Sequence, residues 1–362
     1  MDVVVIGAGQ AGLSAAYHLR RNGYDFQVVD HSPEPGGAWQ FRWPTLTFET
    51  VHGIHRLPGS PFTQPEDVTT PVAEEVPRYF GDYEQRFELD VARPVHVAAV
   101  RSLPDGSLRV ETDRGTITAK AIINATGTWD KPFWPYYRGR ETFAGRQLHT
   151  ADYRGPDEFA GLDVVVVGGG ASGMQHLLEI AEVARSTHWV TRREPVFFDH
   201  PFDPDWGRRV VAAVDERVRA GLPPESVIKA TGYRLTPELR AASDAGVLDR
   251  LPMFDRITPD GVAWDDGRFV AADAIVWATG FRAALDHLAP LRLRNNGGGI
   301  TVDGTRVVSD RRVHLVGYGP SASTVGANRA GGEAVRELRG WLRPTGTDHR
   351  VRPRSTASAR SN

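Results

Sequence analysis

The chain has 362 residues, of which 40% are hydrophobic and 24% charged, with a net charge of −2; it is long enough for two or three domains with sizeable cores, and nothing in the balance suggests a nucleic-acid binder. It contains no cysteine, which excludes disulfides, thiolate metal sites and CxxC redox chemistry carried by the chain itself. No apolar run approaches the roughly 18 residues of a membrane span, and a strand begins at once without a leader-like segment, so a cytoplasmic protein without membrane contact is expected.

The first predicted element is a short aliphatic strand, Val3 to Ile6, whose lack of alternation suits a strand buried on both faces of a parallel sheet. It runs into GAGQAG and an amphipathic helix carried by Leu13, Ala16, Tyr17 and Leu19. Gly7, Gly9 and Gly12 have the spacing of a dinucleotide turn in its proper context. The first glycine permits the tight turn, the second lets a pyrophosphate approach the backbone, and the third lets helix and strand pack, with the helix N-terminus facing the anion. A strand from Phe26 to Val29 follows, and Asp30 closes it 23 positions after Gly7, where a carboxylate reaches ribose hydroxyls. GGAW at Gly36 to Trp39 comes next; Trp39, Phe41 and Trp43 read either as pocket walls or as core aromatics. His52 and His55 lack a third ligand or a carboxylate pattern, so they read as packed or site-lining and no metal is expected.

The first half ends on AIINATG, Ala121 to Gly127, followed by a stiff proline- and aromatic-rich crossover, TWDKPFWPYYRG. The second half repeats the plan: strand Val164 to Val167, GGGASG with Gly168, Gly170 and Gly173, a helix bearing Met174, Leu177, Leu178 and Ile180, strand His188 to Val190, and AIVWATG from Ala274 to Gly280. At the point equivalent to Asp30 stands Thr191, then Arg192 and Arg193. An acid there would repel a ribose 2′-phosphate and arginine forks would hold it, although Glu194 follows and a solvated turn is the bland alternative. A third ATG, in KATGYR at Lys229 to Arg234, has no apolar strand before it. After Gly280 the pattern strand, small-residue turn, helix in VHLVGYGPSASTVGANRAGGEAV is expected to return to the first domain. The expected division is 1–150 with 283–342, an inserted domain 151–282, and a polar, non-periodic and therefore disordered tail 343–362. Lysine occurs only at Lys120, Lys131 and Lys229, an arginine bias associated with GC-rich bacteria.

Together GAGQAG, GGAW, the two ATG strands and GGGASG resemble the two-dinucleotide-binding flavoproteins. The segment FAGRQLHTADY is similar to the fingerprint FxGxxxHxxx(W/Y/F) of class B flavoprotein monooxygenases, with Phe143, Gly145, His149 and Tyr153 on its defining positions. The resemblance covers nearly the whole chain. It implies an α/β fold of two Rossmann-like domains, an FAD domain with an NADPH domain inserted. FAD is then expected at Gly7, Gly9, Gln10, Ala11, Gly12, Asp30, Gly37, Trp39, Ala125, Thr126, Gly127, Tyr318 and Ser323. NADPH is expected at Gly168, Gly170, Ala171, Ser172, Gly173, Arg192, Arg193, Ala278, Thr279 and Gly280.

The implied chemistry is a C4a-(hydro)peroxyflavin that oxygenates a small nucleophile at sulfur, nitrogen or arsenic, so the expected partners are a small-molecule substrate and molecular oxygen, with no nucleic acid and no membrane; a homodimer is left open. The C-terminal segment resembles that of short bacterial monooxygenases found with arsenic-resistance genes. Tyr153 in place of tryptophan leans toward heteroatom-oxidising flavin-containing monooxygenases rather than Baeyer–Villiger members. Two departures stand out: LTFETVHGIHRLPGSPF lacks the asparagine-leucine-proline element of many members, and Tyr318 replaces a C-terminal aspartate. They keep an NADPH–flavin reductase or oxidase, and more distantly a flavin sensor, as alternatives. His149 and Asn328 are the catalytic candidates; a histidine in an interdomain hinge reads first as a hydrogen-bonding post, and Asn328 and Arg329 are weaker candidates for flavin or substrate contact.

Overall fold

The computed structural model describes residues 1–51, 53–199, 204–224 and 232–345. Among them two parallel sheets dominate. Strand Val3–Ile6 lies between Ala121–Asn124 and Phe26–Val29, and Asp310–Leu315 and Val91–Ala92 extend the same sheet in parallel on either side. An antiparallel pair, Val302–Asp303 and Arg306–Val307, completes one edge. Strand Asp163–Val167 repeats the arrangement between Ala274–Trp277 and Ser186–Thr191, with Arg146–His149 and Arg250–Pro252 outermost. The register repeats too: Val3 pairs with Ala121 as Val164 pairs with Ala274.

The aliphatic strands show no polar face because both faces are covered. Val3 and Val5 enter one core with Leu13 and Ala16, while Val4 and Ile6 enter another with Val313 and Leu315. Val164 and Val166 join the first of these cores, and Val165 and Val167 belong to a third. Each fully buried valine contributes about 1.5–3 kcal/mol relative to exposure, so a polar residue at any of these positions has no face on which to escape. The first core runs through both sheets, holding Leu13 and Val28 as well as Met174 and Leu177, with Trp43 and Tyr153 among them. The two halves therefore share packed apolar surface.

The expected division at residue 150 needs correction. Arg146–His149 is the edge strand of the second sheet, so the chain crosses over before Arg146. Leu148 and His149 are buried there, an environment that the fingerprint pattern alone does not reveal. At the other end, Asp310–Leu315 lies beside Ala121–Asn124 in the first sheet. Of the expected disordered tail, Thr345 is fixed, donating from its N–H and Oγ1 to Asp2 Oδ2 at 2.7 and 2.9 Å; residues 346–362 lie outside the described residues, as do the first three residues of KATGYR.

Each ATG strand is also preceded by an antiparallel three-stranded sheet that the sequence reading did not identify. One comprises Val97–Ser102, Leu108–Thr112 and Gly115–Ala119; the other Arg256–Thr258, Gly261–Ala263 and Phe269–Ala271. Among the described residues no helix is long and apolar enough to cross a membrane.

Candidate active site

The two glycine turns are built alike. Gly7 has φ +100°, and a Cβ there would stand 2.6 Å from the Ala125 carbonyl oxygen; Gly168 has φ +140°, and its Cβ would stand 2.1 Å from the Ala278 oxygen. In the first turn, Gly7 N–H donates to Val29 O and Ala125 N–H to Ile6 O, both at 2.7 Å. In the second, Gly168 N–H donates to Val190 O at 2.9 Å and Ala278 N–H to Val167 O at 2.8 Å. The alanine of each ATG thus closes its own glycine turn. Helices Gln10–Arg21 and Ala171–Ala181 begin at Gly9 and Gly170 without a side-chain cap, which leaves their first N–H groups for an anion.

A cavity of about 840 Å³ opens against the first turn. Of the residues expected at FAD, Gly7, Gly9, Gln10, Ala11, Asp30, Gly37, Trp39, Ala125, Thr126, Gly127 and Ser323 line it. Gly12 packs beneath the turn, where a Cβ would lie 1.9 Å from Gly7 O. Asp30 is buried, and its carboxylate accepts from Ala8 N–H at 2.8 Å and Ser32 N–H at 2.9 Å, with His31 Nδ1 at 3.4 Å. Burial opposes its charge, but the hydrogen bonds of His31, Ser32 and Ala8 outweigh burial and hold the carboxyl below its ordinary range. Roughly one lone-pair site is left for a ribose hydroxyl. His31 Nε2 also meets Asp130 at 3.2 Å, and hydrogen bonds to Asp130 and Asp30 push its pKa up to about 10.

Tyr318 and both catalytic candidates, Asn328 and His149, are placed away from the cavity. Tyr318 is turned into the core beside Val302 and Leu315, its hydroxyl accepting from Ile300 N–H at 3.4 Å, because a ring at this strand end gains more by burial than by facing the cleft. Asn328 is consumed as a staple: its Oδ1 accepts from Gln10 Nε2 at 3.0 Å and its Nδ2 donates to Arg56 O at 2.7 Å. His149 is fully buried, with Nδ1 accepting from Ala151 N–H and Nε2 donating to Gly280 O, both at 3.1 Å. Burial pushes its pKa down, so the ring is a neutral post tying the fingerprint to the second ATG. Phe41 and Trp39 are cavity walls, whereas Trp43 is a core aromatic against Tyr153 and His176. Arg329 and His55 are exposed, and His52 lies outside the described residues.

In the second half, Ser172 reaches the same cavity, while Gly168, Gly170, Ala171 and Gly173 form the turn behind it. Gly280 O accepts from Phe133 N–H at 2.9 Å and Thr279 Oγ1 donates to Phe133 O, so the second ATG binds the crossover. Arg192 and Arg193 are exposed at the end of Ser186–Thr191. Sequence reasoning missed Arg250, on the neighbouring strand, which donates to Thr191 Oγ1 at 2.8 Å and Thr191 O at 3.1 Å and fixes the arginine turn. Arg192→Ala is expected to raise the KM for NADPH about tenfold with a much smaller change for NADH; equal changes for both would remove the 2′-phosphate role. Also missed were cavity residues with no motif of their own: His31, Arg42, Asp130 and His287. His287 Nε2 donates to Asn124 Oδ1 at 2.6 Å, and burial pushes its pKa down to about 4.

Residues 4–247 match the family described as pyridine nucleotide-disulphide oxidoreductase. A flavin-containing monooxygenase from Stenotrophomonas maltophilia is 39% identical and superposes with a TM-score of 0.79, covering 94% of this chain and 98% of that one. An indole-3-pyruvate monooxygenase of Oryza sativa is 28% identical over 77% of this chain and 76% of its own length. The protein OTEMO, solved in complex with FAD and NADP, shares the fold at 16% identity, with a TM-score of 0.64 over 94% of this chain and 86% of that one.

Proposed function

Because the chain belongs to the pyridine nucleotide-disulphide oxidoreductase family, and within it to the class B flavoprotein monooxygenases, we propose that it is an FAD-containing, NADPH-dependent enzyme that oxygenates a small nucleophilic substrate at sulfur, nitrogen or arsenic. The disulphide chemistry in the family's description is not available to its own side chains, which include no cysteine. The observation that carries the reading is that both glycine turns reach one cavity, the first through Gly7 to Ala11 and the second through Ser172.

The residues present fit the two cofactors. Glycines at 7 and 12 leave no room for a Cβ, the helix N-terminus beyond Gly9 is uncapped, and Asp30 retains an acceptor facing the cavity. When bound, FAD supplies hydride acceptance from NADPH and oxygen activation, the C4a-(hydro)peroxyflavin being part of the proposal. The protein's share is positioning and exclusion of water. His149 fixes Gly280 and so holds the crossover against the second ATG. Trp129 stacks on Phe281 with ring centroids 5.0 Å apart and on Phe41 at 6.4 Å, an aromatic wall contributed from both halves.

A second reading, flavin reduction without oxygenation, is favoured by one observation: no asparagine lines the cavity among the described residues. One experiment separates the two. The purified protein is reduced anaerobically with NADPH, mixed with oxygen and followed by absorbance. A persistent flavin–oxygen adduct and a thioether consumed one-for-one with NADPH are expected. Immediate return of oxidised flavin with stoichiometric peroxide would favour the second reading.

A further inference from the structure

Arg42 stands in the cavity wall with its guanidinium carbon 4.6 Å from the ring centre of Trp129, 5.6 Å from Trp39 and 6.0 Å from Trp43. Its Nε is sealed from solvent and has no hydrogen-bond partner. The cavity carboxylates are already engaged: Asp30 and Asp130 by His31, and Asp286 by Lys131. Arg42 has no carboxylate within ion-pairing distance among the described residues, and burial alone pulls its pKa down to about 10. A half-buried cation without a counter-charge, its Nε cut off from water, is costly unless something supplies one.

We propose that Arg42 anchors a carboxylate on the substrate, so that the enzyme acts on small anionic compounds bearing an oxidisable heteroatom. The proposal rests on the monooxygenase reading above and names the substrate class of the same cavity. The charge can be supplied by a cofactor phosphate or by the substrate, and the placement favours the substrate. The glycine turns offer the cofactor phosphates backbone N–H groups at Gly9–Ala11 and Gly170–Ser172, and the arginine turn at 192–193 serves a 2′-phosphate. Arg42 instead stands against Trp129, in the aromatic wall that joins the two ATG turns. Of the guanidinium nitrogens only Nε is sealed and unpartnered, and the pair of terminal N–H groups matches the two oxygens of a planar carboxylate.

The test compares (methylthio)acetate with its methyl ester, in wild-type holoenzyme and in Arg42→Gln and Arg42→Lys variants that retain FAD. The wild type is expected to prefer the carboxylate. Arg42→Gln should collapse the carboxylate-over-ester ratio of kcat/KM by about 10- to 100-fold, chiefly through KM, with Arg42→Lys recovering part of it. An unchanged ratio overturns the proposal. So does slower anaerobic reduction of the flavin by NADPH in Arg42→Gln, which would assign the cation to the nucleotide. A readout without turnover separates this proposal from the one it rests on: titrating the oxidised holoenzyme with (methylthio)acetate should perturb the flavin spectrum in the wild type and not in Arg42→Gln. If neither compound is oxygenated but that difference persists, the oxygenation reading fails and the anchor stands. If the wild-type spectrum does not respond, the anchor fails.

Discussion

Gly12→Ala is expected to purify without flavin, with FAD affinity reduced about 100-fold or more. The added Cβ would lie 1.9 Å from Gly7 O and 2.9 Å from its carbonyl carbon, both backbone atoms that no rotamer change can move. Relief requires shifting the turn, and the turn is held on both sides by Gly7 N–H to Val29 O and Ala125 N–H to Ile6 O. Whatever gives way, the N–H groups following Gly9 lose their aim at the pyrophosphate. Gly170→Ala is the control within the same molecule. No atom lies within 4 Å of its Cβ, and its φ of −109° suits any residue. That variant should keep its flavin and show its effect on NADPH alone, because the methyl intrudes only where a second pyrophosphate approaches. Flavin content per chain, read from the absorbance of the purified proteins, decides the matter: flavin-replete Gly12→Ala would refute the turn's role, and flavin-free Gly170→Ala would show that the two turns are not separable.

Those two glycines also mark what was legible in the sequence. The turns, their strands and their ATG closures are written locally, each within a few residues of what it contacts or in a repeat that could be laid on its twin. The two antiparallel sheets went unread, because their strands are short and only local Asp-Gly turns, at Asp105–Gly106 and Asp266–Gly267, mark them. What sequence does not carry is which way a side chain faces once remote segments meet. Tyr318 and Asn328 stand in motif-like stretches yet are taken by Ile300 and by Gln10 and Arg56. Arg42 and Asp130 belong to no motif, and they acquire meaning only because Trp129 and His31 are brought beside them. Arg146–His149 was misassigned for the same reason, since its partner strand lies more than a hundred residues away.

The acid limit of the protein's stability should be set in part by His176. This ring is fully buried between Trp43, 4.6 Å away, and Tyr153, 3.9 Å away, and neither of its nitrogens has a hydrogen-bond partner. Burial, with a smaller contribution from His149, pushes its pKa down to about 3. In the unfolded chain the same ring takes up a proton near 6.5. Between those values the unfolded state binds more protons, so this contribution is complete above about pH 6.5 and falls by about 1.4 kcal/mol per pH unit as the solution is acidified. His31 acts with the opposite sign: its raised pKa gives a contribution complete below about 6.5 and lost as pH rises through about 10. His176→Leu fills the same apolar slot without a titrating group. Its unfolding free energy, from urea titrations of the holoprotein between pH 6.5 and 5, should decline less steeply than the wild type's by about 1 kcal/mol per pH unit. Parallel slopes would mean that His176 reaches a proton acceptor or water in the folded protein, contrary to its sealed position between the indole of one half and the fingerprint tyrosine. A shallower slope would locate an acid-sensitive contact at that seam, and flavin release over the same pH interval would tie it to cofactor retention.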